Sequence, residues 1–328
     1  MKILVTGGAG YVGSHAVRVL AARGYEIVVL DDLSTGHRAA VPAGMLEEGS
    51  LLDRARLAEV FARHRPEAVM HFASHCAVGE SVENPRKYFR DNLTSAIQLF
   101  EAVLDHGVGR VVFSSSCAVY GDPVRVPMDE DHPLAPVSPY GETKLAIEKM
   151  LRAYDAAYGL RSVCLRYFNA AGADPGGGIG EKHDPEGHLI PRILEIAHAG
   201  AGAVTVNGTD HPTPDGTCVR DYVHVTDLGE AHALALGWMA RANRSGAFNL
   251  GTGQGHSVAE VLEIARRITG KPIADAPGPR RAGDPPVLVA RADRARADLG
   301  WEPRLSSIET IVETAWSWRR AQGGVFSG

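Results

Sequence analysis

Ile3-Leu4-Val5-Thr6-Gly7-Gly8-Ala9-Gly10-Tyr11-Val12-Gly13 is the stretch that decides the fold. A short apolar, β-branched run reads as a buried strand and stops at glycine. Gly7, Gly10 and Gly13 then satisfy G-x-x-G-x-x-G, while Gly8, Gly10 and Gly13 satisfy G-x-G-x-x-G. Glycines at this spacing let the backbone come close to a pyrophosphate, which rests on the positive N-terminus of the helix that follows. The next strand, Glu26–Leu30, runs into Asp31-Asp32. A carboxylate at Asp31 accepts hydrogen bonds from ribose hydroxyls and repels a 2′-phosphate, so it selects NAD over NADP.

Outward from that unit the same rhythm repeats. Glu67–Phe72, Arg110–Ser114 and Ser162–Tyr167 read as further buried strands, and Tyr140–Tyr154 as a helix after a Pro-rich loop at Asp122–Pro139. Strands alternating with helices predict a Rossmann-type α/β fold: a doubly wound parallel sheet with crossover helices. Glycine and proline thicken over Gly172–Gly187 and Asn207–Gly216, as expected of a smaller, interleaved substrate lobe. Strand-then-helix patterning returns from Tyr222, and Phe248-Asn249-Leu250 reads as a return to the sheet. The expected division is 1–171 plus 221–251 for the dinucleotide domain, and 172–220 plus 252–328 for the lobe.

The chain has 328 residues, 45% of them hydrophobic, enough for one α/β body and a lobe. A formal net charge of −5 offers no basic field for nucleic acid or an anionic membrane, so an anionic ligand must be held by local groups. Met1 and Lys2 lead directly into the first strand and no apolar run reaches spanning length, so a cytosolic protein with no membrane partner is expected. Cys76, Cys117, Cys164 and Cys218 form no C-x-x-C pair and read as reduced thiols. His71 and His75 fall on a strand, where their spacing makes no helical metal face. No metal is expected.

Tyr140-Gly141-Glu142-Thr143-Lys144 puts a phenol and an ammonium at i and i+4 on one helix face. A tyrosine pKa of about 10 is too high for a base near neutrality, and an adjacent cation stabilises the phenolate. Ser114-Ser115-Ser116-Cys117-Ala118-Val119-Tyr120-Gly121 ends a parallel strand in hydroxyls, at the sheet edge where such folds bind ligands.

With these motifs in place the chain resembles the extended short-chain dehydrogenase/reductase family, and within it the UDP-galactose 4-epimerases. The resemblance runs in order through Gly7–Gly13, Asp31, Val78-Gly79-Glu80-Ser81, Ser114–Gly121, Tyr140–Lys144, Arg166-Tyr167-Phe168-Asn169, Asp215-Gly216-Thr217, Arg220-Asp221-Tyr222 and Arg281-Ala282-Gly283-Asp284-Pro285. It implies that NAD touches Gly7, Gly10, Tyr11, Val12, Gly13, Asp31, Asp32, Leu33, Ser50, Leu51, Phe72, Ala73, Asn92, Tyr140, Lys144 and Tyr167. It implies that Tyr140 is the base, that Ser116 hydrogen-bonds the reacting oxygen, and that Lys144 holds the nicotinamide ribose and lowers the Tyr140 pKa. The UDP-sugar is expected against Ser116, Tyr140, Asn169, His188, Leu189, Arg192, Asn207, Arg220, Arg281 and Asp284. The implied reaction inverts C4 of a UDP-hexose through a transient 4-keto sugar, and a homodimer packed through Tyr88–His106 and Tyr140–Tyr154 is implied as well.

The chain departs from the family pattern at several positions. Ser50 and Cys76 replace an aspartate and a lysine common near the cofactor, Asn207 replaces a phenylalanine beside the base, and His188 replaces an asparagine. Related sugar-nucleotide dehydratases and decarboxylases carry acids where this chain has Ser116-Cys117-Ala118, and a scaffold without turnover would not need Ser116, Tyr140 and Lys144 together. Arg192 stands where an apolar or aromatic residue is common. A guanidinium there can pair with the C6 carboxylate of UDP-glucuronate, at about 1.5–3 kcal/mol for charge-assisted bonds. UDP-glucose/UDP-galactose is the leading pair and UDP-glucuronate/UDP-galacturonate the second.

Overall fold

A computed structural model describes residues 1–281 and 285–321. The strands are β1 (Lys2–Thr6), β2 (Glu26–Asp31), β3 (Leu46–Glu48), β4 (Ala68–His71), β5 (Arg110–Ser116), β6 (Arg161–Tyr167), β7 (Asn169–Ala171), β8 (Ala203–Asn207), β9 (Val219–Arg220), β10 (Tyr222–His224), β11 (Gly246–Leu250), β12 (His256–Ser257), β13 (Ala274–Gly278) and β14 (Val287–Leu288). The α-helices are α1 (Tyr11–Ala22), α2 (Arg54–His64), α3 (Val78–Glu83), α4 (Pro85–Tyr88), α5 (Ser95–Asp105), α6 (Pro139–Tyr158), α7 (Leu189–Ala199), α8 (Val225–Ala242), α9 (Val258–Thr269) and α10 (Ile308–Ala321).

Seven strands form a parallel sheet in the order β11-β6-β5-β4-β1-β2-β3. Its central strands are apolar on both faces, because helices cover both sides of a parallel sheet. Ile3, Val5, Met70, Val112, Val163 and Leu165 fill one face with α1 and α8. Leu4, Val69, Val111 and Phe113 fill the other with α2, α5 and α6. Each such side chain contributes about 1.5–3 kcal/mol on burial. The order reverses between β1 and β4, and the switch point opens at the C-terminal strand ends, where the glycine loop lies.

The expected strands are present, with β5 running on to Ser116 and β4 one residue shorter at each end. Helix α6 starts at Pro139 under a Ser138 cap, whose Oγ accepts from Gly141 N at 3.2 Å, and continues to Tyr158. The Phe248-Asn249-Leu250 segment enters the sheet as β11 beside β6. Short pairings in the second half were not anticipated: β13 with β8, and β12 and β14 with β9. A separate core of Ile193, Val261, Leu262, Ile311 and Val312 joins α7, α9 and α10. No helix among the described residues is long and apolar enough to cross a membrane.

Buried Asp221 fastens the two parts. Its carboxylate accepts from Thr252 N and Oγ1, Gly253 N and Ala290 N, at 2.7–3.1 Å, so three passages of the chain meet on one side chain.

Candidate active site

The glycine loop is shaped by contact. Gly7 has φ +73°, and a Cβ on it would lie 2.4 Å from Ala73 N; one on Gly13 would lie 2.2 Å from Gly7 O. Phe72 N and Ala73 N both donate to Thr6 O, holding the end of β4 against the loop. Gly10 caps α1, so Tyr11, Val12 and Gly13 form its first turn with free N–H groups facing the cradle. Asp31 is buried, and its two oxygens accept from Ala9 N and Leu33 N at 2.9 Å each. It thereby ties the loop to the turn after β2, with lone pairs to spare for ribose hydroxyls. Leu33 takes φ +59°, Asp32 Oδ1 accepts from Ser34 N, Ser50 Oγ accepts from Leu52 N, and Leu51 is buried. Asn92 lies in a π-helical turn (Phe89–Thr94), bonded to both backbone polar groups of His75. It holds the segment after β4 against α6.

Alternation along β5 sorts its hydroxyls. Ser115 Oγ faces away from the site and donates to Glu148, while Ser114 Oγ meets the Tyr167 hydroxyl at 2.7 Å and Ser116 faces Tyr140. Lys144 Nζ donates to Ser114 O at 2.9 Å and stands 5.6 Å from the Tyr140 ring centre. Ser116, Tyr140 and Lys144 are therefore gathered in one buried place. What brings α6 so close is Gly141: a Cβ there would lie 2.5 Å from Ala118 O. Sequence reasoning passed over that residue, whose only signal is glycine at the start of a long helix.

Burial dominates the electrostatics of the site. It pushes the Tyr140 phenol well above its ordinary value, and the neighbouring Ser116 hydroxyl opposes this. Lys144, itself desolvated, is lowered to about 8. Cys76 is exposed.

A buried network stiffens this floor. Arg166 forks onto Glu148 (Nε–Oε1 2.9 Å, Nη2–Oε2 2.5 Å) and donates to the Tyr120 hydroxyl, which donates to Asn249 Oδ1 at 2.6 Å. It joins α6, β6, β11 and the turn after β5.

Farther out, Asn169 in β7 pairs in register with Tyr222, and buried Arg220 lies in register with Leu288 on β14. With its amide turned so that the oxygen faces the guanidinium, Asn207 would accept from Arg281 Nε and Nη2 at 3.1 and 3.2 Å, so two expected ligand contacts adjoin each other. His188 caps α7, ahead of Leu189 and Arg192 in its first turn, and aims Nδ1 at Glu181. Asp284 lies outside the described residues.

A family model for the NAD dependent epimerase/dehydratase family matches residues 3–251. The chain belongs to that family. Among its members, it is 49% identical to a UDP-glucose 4-epimerase of Halalkalibacterium halodurans, over 98% of this chain and 96% of the relative. A crystal structure of UDP-glucose 4-epimerase from Brucella ovis in complex with NAD matches with a TM-score of 0.93 at 50% identity, covering 96% of this chain and 97% of that one. One from Bifidobacterium longum, in complex with NAD+ and UDP, matches with a TM-score of 0.93 at 35% identity, covering 99% of this chain and all of the other. The cofactor of an epimerase/dehydratase fits the residues present, since the cradle at Gly7 and Gly13 has no room for side chains and Asp31 is fixed where a ribose would meet it.

Proposed function

We propose that the protein is an NAD-dependent UDP-hexose 4-epimerase that interconverts UDP-glucose and UDP-galactose. The observation that carries this reading is the buried grouping of Ser116, Tyr140 and Lys144 beside the glycine loop. Gly7–Gly13 and Asp31 would hold the cofactor's pyrophosphate and adenosine ribose, and Lys144 and Tyr167 its other end. NAD, when bound, supplies the hydride acceptor and donor and, oxidised, a positive charge near the phenol. Tyr140 takes the proton from the sugar's 4-hydroxyl and later returns it. Ser116 fixes the reacting oxygen by a hydrogen bond, and Lys144 orients the ribose. Arg220, Arg281 and Asn207 grip the UDP, so that it stays anchored while the opposite face of C4 turns toward the hydride donor. Asn169, Leu189 and Arg192 border the hexose.

Two further assignments rest on the same reading. The division into 1–171 plus 221–251 and 172–220 plus 252–328 is supported by the separate cores and by β11 joining the main sheet. A homodimer through Tyr88–His106 and Tyr140–Tyr154 is supported by the exposed apolar side chains of Phe89 and Ile97.

Relatives named UDP-glucose 4-epimerase favour the glucose/galactose pair over the uronate pair that Arg192 suggests. The test is to incubate the purified enzyme, with no added oxidant, separately with UDP-glucose and UDP-glucuronate, and to repeat both with Arg192→Leu. Epimerisation of UDP-glucose by wild type and variant, with little of the uronate, is expected. No turnover of UDP-glucose would overturn the assignment; uronate turnover lost selectively in the variant would replace the sugar.

A further inference from the structure

The strap between β7 and α7 carries Gly180-Glu181-Lys182-His183-Asp184-Pro185-Glu186-Gly187-His188, in which acids and imidazoles interleave. Glu181, His183, Glu186 and His188 each bring one ligand-type atom to within 4.8 Å of all the others. His183 Nδ1 lies 3.2 Å from Glu181 Oε1 and 3.7 Å from Glu186 Oε2; His188 Nδ1 lies 2.6 Å from Glu181 Oε1 and 3.4 Å from Glu186 Oε1. The carboxylate side chains are only 5% and 6% exposed. Glu181 Oε1 and His183 Nδ1 are fully enclosed, yet no hydrogen bond of acceptable direction reaches either. Four ligand-type atoms thus share one small space, and two of them are buried without a hydrogen bond. Ligand bonds of about 2.0–2.2 Å around a tetrahedral ion separate ligand atoms by about 3.4 Å, close to most of these spacings.

We propose that Glu181, His183, Glu186 and His188 bind one divalent cation of the zinc class. Two imidazoles and two carboxylates complete a four-coordinate shell with no open position, so the ion is structural rather than catalytic. Its place gives it a purpose. The Tyr11 ring stands edge-on to His183, and the Tyr11 hydroxyl donates to Gly172 O at 2.6 Å. His37 reaches Lys182 O on the same strap. On the other side His188 opens α7. The ion therefore pins the strap between the first turn of α1 at the cofactor loop and the first turn of α7 at the sugar.

The rival is charge pairing alone. Burial favours neutral rings, but Glu181 and Glu186 outweigh it and raise His183 to about 10 and His188 to about 11. Ion pairs of that kind survive chelation, whereas stabilisation by a metal does not. The experiment takes the full-length protein with its NAD, strips it with a chelator, and titrates it with Zn²⁺ by calorimetry and with Co²⁺ by visible absorption. One equivalent per chain, the intense bands of four-coordinate cobalt, and an unfolding midpoint raised by about 4 °C at zinc a hundredfold above Kd are expected. His183→Gln and Glu181→Gln should each abolish stoichiometric uptake. Wild-type uptake no greater than that of the variants, or a wild-type midpoint indifferent to chelation and reloading, would overturn the proposal, and the second comparison decides even if a variant does not fold. These readouts are independent of turnover.

Discussion

Tyr140 is buried and held above the ordinary phenol range, so its value as a base depends on what is brought beside it. Tyr140→Phe removes the proton acceptor while keeping the ring that packs edge-on to Tyr88. It should lower kcat by about 100-fold or more with the unfolding midpoint nearly unchanged, as steady-state kinetics and calorimetry would show. Ser116→Ala should cost less, and a larger loss than for Tyr140→Phe would reverse their roles. Leu288 packs against the buried cluster of Val119, Tyr120 and Phe168 and lies in register with Arg220, and we propose that it limits room at the sugar's C2 substituent. UDP-N-acetylglucosamine should accordingly have a specificity constant well below that of UDP-glucose; comparable constants would dismiss Leu288 as the limit. The residues proposed to do chemistry stand out because type and spacing mark them: a phenol four residues before an ammonium, or glycines three apart. Gly141 was not, because its role is to leave room for a carbonyl from another segment, and no local pattern records that.

Among the elements, α6 has the most demands on it, since one end carries Tyr140 and Lys144 and its inner face must meet β5 and β6. Glu148 answers the second need by pairing with Arg166 where both are almost wholly buried. Glu148→Ala would strand the guanidinium in the interior and should destabilise the fold by about 3–5 kcal/mol, measured by denaturant unfolding. A loss below about 1 kcal/mol would show that water reaches Arg166. The long buried strands and α6 could be read in advance because their apolar periods are unambiguous. β3, β9, β12 and β14 span two or three residues each, too few for any period, and their pairing is set by the tertiary positions of the loops that bear them.

At the scale of the whole molecule, Phe89 and Ile97 leave an apolar surface uncovered near the π-helical turn and α5. If that surface is the dimer contact, Ile97→Glu should convert a sedimenting dimer to monomer; a wild type that already sediments as a monomer would refute the contact. The order in which the sheet is assembled has its own effect. β6 is flanked by β5 and by β11, and β11 lies beyond the whole stretch that contains α7, β8, β9, β10 and α8. A ribosome extruding this chain makes Ser116, Tyr140 and Lys144 long before it makes the strand that seals their floor, where Asn249 accepts the Tyr120 bond. Nascent chains arrested before Gly246 should therefore be cut readily by protease within β6, and those arrested well past Leu250 should resist. The interval between these lengths is when the newborn chain most needs a chaperone.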